Sequence, residues 1–112
     1  MVAGGAGEIA AAAESSLVRL DLTDNPGKYL QLRCFQDNNG NLGVSIGNPT
    51  PLAVTGVRYV VLYRNERGSQ PRSRAVPNRL RTGAVVNIST GIGPWSPGGD
   101  CPVQITAARV AD

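Results

Sequence analysis

Alternation of apolar and polar positions dominates the middle of the chain. Within Leu42 to Gly68, Leu42, Val44 and Ile46 fall on one side of an extended run. Val57, Tyr59, Val61 and Tyr63 fall on one side of a second. Side chains of a strand point alternately to its two faces, so each run has a face to bury. Asn48-Pro49-Thr50-Pro51 separates the two runs, because neither proline can donate to a ladder and each drives its predecessor out of the helical region. Asn65-Glu66-Arg67-Gly68 then turns the second run.

The same reading extends in both directions. Leu17 to Leu22 is LVRLDL, a short strand with Val18, Leu20 and Leu22 facing inward and Leu17, Arg19 and Asp21 outward. Asp24-Asn25-Pro26-Gly27 is a turn, with proline and glycine where type I or II geometry takes them. Tyr29 to Gln36 is a strand, and Asp37-Asn38-Asn39-Gly40-Asn41 closes a hairpin into Leu42 to Asn48. The long strand Val54 to Arg64 is followed by Gln70 to Pro77, which Pro71 and Pro77 confine to a sheet edge. Leu80-Arg81-Thr82-Gly83 turns into the strand Ala84 to Thr90. After the loop GIGPWSPGGDCP, Val103 to Val110 is the last strand. Seven strands at short spacing, with turn signals between them, predict an all-β fold, an antiparallel immunoglobulin-like sandwich, rather than a βαβ arrangement.

A chain of 112 residues suits one domain with a single core. The sandwich is expected over residues 17–112. Residues 1–16 carry the run AGGAGEIAAAAESS, which lacks the basic start and long apolar centre of a signal peptide. It is read as a linker or cut point, a fragment of a longer protein beginning on an added methionine, with at most a short helix from Glu8 to Ser16. No run of about twenty apolar residues offers a membrane span. With one Trp, three Tyr and one Phe, the core has to be aliphatic, and its β-branched residues favour strands.

Composition narrows the chemistry. Histidine is absent, which removes the commonest general base, the commonest metal ligand and any Ser-His or Cys-His pair. The eight carboxylates are scattered through tails and loops and read as solvated acids rather than a glycosidase pair. No catalytic, cofactor or metal site is expected in this chain. The two cysteines, Cys34 and Cys101, stand far apart. Bridged, they would tie an early strand to the final segment, a stabilisation of about 4 kcal/mol suited to an envelope or secreted location. Unbridged, Cys34 would be a small buried hydrophobe.

The net charge of +3 has a local origin. Arg58, Arg64, Arg67, Arg72, Arg74, Arg79 and Arg81 follow one another opposed only by Glu66. Arginine grips phosphate or carboxylate bidentately, which points to an anionic partner such as an envelope component or an acidic protein. Nucleic acid is the weaker partner, since aromatics interleaved with the charge are few. The alternative is that these arginines solubilise a hairpin and guard an edge strand. Arg72, Arg74, Arg79 and Arg81 are the candidate anion-binding residues. Trp95, in GIGPWSPGGD, is the candidate apolar contact, or else a cap over the open end of the core.

From Gly43 to Thr90 the order of features resembles the FxLYD family and related immunoglobulin-like domains of bacterial envelope proteins. Asn48, the Val57-Tyr59-Val61-Tyr63 face, Asn65, Gly68 and Leu80-Arg81-Thr82-Gly83 occupy comparable places. Val61-Leu62-Tyr63-Arg64-Asn65 stands where the name-giving motif reads Phe, any residue, Leu, Tyr, Asp. The resemblance implies a non-catalytic accessory module, periplasmic or in the cell envelope, that contacts domains of its parent protein or another envelope protein. The chain also looks like the C-terminal domain of an envelope zinc metallopeptidase. In that case it would position substrate for an HExxH site lying upstream.

Overall fold

The computed structural model describes residues 14–62 and 73–111. Helix α1 covers residues 14–21 and the one-turn helix α2 covers Pro26–Tyr29. The strands are β1 Gln31–Gln36, β2 Leu42–Gly47, β3 Val54–Val61, β4 Ser73–Ala75, β5 Val85–Ser89 and β6 Val103–Val110. They form two three-stranded antiparallel sheets, in the orders β1-β2-β5 and β4-β3-β6. Their buried faces share one core. Tyr63, Arg64, the Asn65 to Gly68 turn, Arg67 and Arg72 lie outside the described residues.

The described residues form six strands, and the first of the seven expected segments is helical instead. LVRLDL satisfies two periods at once. Val18 and Leu22, read as alternate strand positions, are also four apart, the helical repeat that stacks side chains on one face. Both are fully buried, and the Leu22 N–H donates to the Val18 carbonyl at 2.9 Å. Leu20, expected inside, is 81% exposed. The helix runs through the expected boundary between residues 16 and 17.

Asp21, at the end of α1, accepts hydrogen bonds from the Asn25 amide at 2.7 Å and the Tyr29 hydroxyl at 2.7 Å, and pairs with Lys28 at 3.5 Å. The expected turn at Asp24 to Gly27 opens α2 instead. Pro26 stands in the first turn of that helix, where a missing N–H costs nothing.

The hairpin has the loop the sequence predicts. Asp37 N–H donates to the Asn41 carbonyl at 2.8 Å, and the Asp37 carboxylate accepts the N–H groups of Asn39 and Asn41, each at 2.9 Å. Those bonds, the Asn41 one above all, hold the Asp37 carboxyl below its ordinary value of 3.8, with help from Ser89. The folded pKa is depressed, so this stabilisation is present above the ordinary value and is lost as pH falls through the lower folded one. Melting temperature is therefore expected to drop on the acid side of 3.8 in the parent chain and to drop less in Asp37→Asn. Identical acid limbs in the two melting profiles would contradict this.

Core positions follow the alternation with one interruption. Leu42, Val44 and Ile46 are fully buried on β2, while Val57, Tyr59 and Val61 are buried on β3. Each such aliphatic side chain contributes about 1.5–3 kcal/mol over an exposed one. Val54 and Val57 both face inward although three residues apart. The register moves from Thr55 opposite Arg109 to Arg58 opposite Ala107, leaving Gly56 and Val57 against Ala108 alone. Gly56 takes a φ of +63°, a conformation that glycine adopts without steric cost. A second shift between Arg58 and Tyr59 does the same for Ile105 and Ala108 on β6.

Asn48 and a disulfide are among the links between the sheets. Asn48 ends β2 at the core and is 1% exposed. Its amide donates to the carbonyls of Leu52 at 2.9 Å and Leu80 at 3.0 Å, and its oxygen accepts from the Thr50 N–H at 3.0 Å and hydroxyl at 2.7 Å. Cys34 on β1 is bonded to Cys101, just before β6, with Cα atoms 5.4 Å apart.

Candidate functional site

The arginines anticipated as one cluster separate into different roles. Arg72 lies outside the described residues. Arg74 sits on β4 opposite Tyr59, whose side chain is in the core, so its own side chain turns inward. There its Nη1 donates to the Thr90 carbonyl at 2.6 Å, fastening the edge of one sheet to the end of β5 in the other. A guanidinium committed to a backbone carbonyl is a structural tie.

Arg79 and Arg81 are exposed on either side of Leu80, which is buried. Leu80 exchanges both backbone hydrogen bonds with Val54, at 2.8 and 2.9 Å, and this pairing fixes the segment against β3. Alternation around a buried residue then sends both arginines outward.

Arg109 joins them, and the sequence reading did not single it out. It stands on β6 opposite Thr55, while the bridge of Leu80 to Val54 brings Arg79 to Thr55 from the other edge of β3. Thr55, Arg79, Arg109, Val110 and Ala111 line one shallow depression. Strict alternation from Val103 and Ile105 would have placed Arg109 inward, and it faces out because β6 shifts phase between Ile105 and Ala107. Its neighbourhood was not readable either, because only the register of β6 on β3 supplies it.

Arg58 is exposed on the outward side of the same sheet, and its Nε donates to the Ser73 hydroxyl at 3.0 Å. The side chains of Arg79, Arg81 and Arg109 have no hydrogen-bonding or ionic partner among the described residues, in contrast to Lys28 with Asp21.

The outward face of β1-β2-β5 differs in character. Gln31, Arg33 and Phe35 flank Gly43, Ser45 and Gly47, with Val85, Asn87 and Ser89 beyond. The Phe35 ring lies across Gly43, leaving no room there for a Cβ. Arg33 is the one charge among the described residues of this face. Positive charge is therefore concentrated on and beside β4-β3-β6.

Trp95 corrects the expectation of a protruding contact. It is 8% exposed and belongs to the core. Its N–H backbone group donates to the Gly40 carbonyl at 3.0 Å, and its carbonyl accepts from Gln36 Nε2 at 3.0 Å. The indole covers the hairpin end of the core, the second of the two roles considered for it.

No family model, curated protein or solved structure matches this chain. Its chemistry is therefore argued from its own surface. Among the described residues no three His, Cys, Asp or Glu side chains gather around a common point. No described helix is long and apolar enough to cross a membrane.

Proposed function

We propose that this chain is a non-catalytic interaction module of a larger bacterial envelope protein, binding an acidic partner through the arginines around β4-β3-β6. The observation that carries the reading is the exposure of Arg79, Arg81 and Arg109 without a carboxylate partner among the described residues, next to Arg58 on the same side. Guanidinium groups held on strands and beside them present fixed donors to carboxylate or phosphate, and charge of one sign speeds encounter with the other.

The topology supports an immunoglobulin-like framework for that face. β2 and β3, adjacent in sequence, lie in different sheets, and β5 returns to pair with β2 while β6 pairs with β3. The A-B-E and C-F pairings of immunoglobulin-like sandwiches have the same neighbour relations. The cystine between Cys34 and Cys101 fits an oxidising compartment such as the periplasm. On α1, Leu17 and Leu20 are 49% and 81% exposed and three residues apart, an apolar spot suited to contact with a neighbouring domain of the parent protein.

The test is affinity capture from the envelope fraction of the source cell, followed by direct titration of the captured protein. The parent chain is expected to bind an acidic protein with an affinity that falls as salt rises. A variant carrying Arg58→Gln, Arg79→Gln, Arg81→Gln and Arg109→Gln is expected to lose it. Binding that survives this neutralisation, or no binding by either form, would reject the reading.

A further inference from the structure

We infer that the depression between Arg79 and Arg109 is an oxyanion site that takes a tetrahedral group, phosphate or sulfate. The inference rests on the arginine-bearing face being the recognition surface, and it names the group recognised there.

Arg79 and Arg109 line the same depression from separate strand-like segments, each fixed by backbone pairing. Arg79 is held by the reciprocal hydrogen bonds of its neighbour Leu80 with Val54. Arg109 is held by the pairing of β6 with Thr55 on β3. The Arg109 side chain also lies against the bulge: a Cβ placed on Gly56 would be 3.6 Å from its Cγ, its Nε and its Cζ. Glycine at that position, with its φ of +63°, leaves the surface on which this side chain rests. Arg109 is thus supported along its length.

Like charges sharing one concavity repel each other unless an anion enters between them. Among the described residues no side chain pairs with either guanidinium, and each carries five N–H donors suited to an anion. A carboxylate presents its two oxygens in a single plane, the geometry of one bidentate guanidinium fork. A tetrahedral oxyanion has enough oxygens, disposed in three dimensions, to face two forks at once. The Thr55 side of the depression adds a hydroxyl-bearing residue to the lining.

The experiment is a titration of the full chain with inorganic phosphate, sulfate and acetate, followed by amide NMR at constant ionic strength. Phosphate and sulfate are expected to give saturable shifts centred on Thr55, Arg79 and Arg109 to Ala111, with acetate clearly weaker. Arg79→Gln and Arg109→Gln are each expected to weaken phosphate binding about tenfold, the loss of a charge-assisted contact. Arg33→Gln removes the same charge from the opposite sheet and is expected to change nothing.

Shifts spread evenly over all arginines, equal response to acetate, or equal loss in Arg33→Gln would each overturn the site. That result, beside salt-sensitive capture of an acidic protein, would leave the wider face standing. Localised, saturable shifts with no partner captured would establish the site and reject the protein-binding reading.

Discussion

Asn48→Asp is expected to cost about 3–5 kcal/mol of stability at neutral pH, the penalty of leaving a charge buried without compensation. That is a large share of the 5–15 kcal/mol total typical of a domain. The side chain is 1% exposed, and its amide nitrogen points at two carbonyl oxygens, those of Leu52 and Leu80. A carboxylate of the same shape would set a third oxygen against them.

The introduced carboxyl would have its folded pKa raised by burial and by those carbonyls. Its protonated form restores one donor, so stability is expected to recover as pH falls and to be lost as pH rises through the raised value. Asn48→Ala removes the charge problem but leaves the Thr50 N–H and the carbonyls short of partners, at a cost of about 1–3 kcal/mol. Urea unfolding at two pH values measures both. A loss below about 1 kcal/mol in Asn48→Asp would show that the network can be rebuilt around water.

Breaking the Cys34–Cys101 bond is the second large effect. The bridge closes a loop across a sequence separation of 67, for which the chain-entropy model gives about 4 kcal/mol. Cys34→Ser, Cys101→Ser and the double variant are expected to lose nearly the same amount, because either single change already removes the bond. Chemical reduction of the parent chain should reproduce the loss. Denaturant midpoints for the four forms decide the matter: additive losses in the singles, or a stability unmoved by reduction, would contradict it.

Legibility in the sequence was uneven for identifiable reasons. The hairpin at Asp37 to Asn41 and the faces of β2 were plain, because turn residues and strict alternation depend only on neighbours along the chain. The first segment was misread because six residues can satisfy periods of 2 and 3.6 together. In LVRLDL only Leu20 separates the two patterns, and it points to solvent.

The bulge at Gly56 was invisible for a different reason. Val54 and Val57 are out of phase on an ideal strand, and only the register with β6 shows that both belong inside. The candidate surface depended on the same register. A run of arginines in sequence suggested one patch, yet Arg74 is spent on Thr90, while Arg109 enters from the other end of the chain. Charge content was readable. Charge placement required the pairing of β3 with β6.

The bridge also has a mechanical meaning. A load applied at residues 14 and 111 would reach Cys34 from one side and Cys101 from the other, and pass through the sulfur atoms. The 67 steps of chain between them would then carry no tension. Fully extended, that length would reach roughly 230 Å, and an intact bridge withholds it from the stretch. Strands β2, β3, β4 and β5 lie inside the protected loop. Tugging on the chain can peel away β6 and the segment before Cys34, while four strands and the depression's Arg79 side stay covalently gathered.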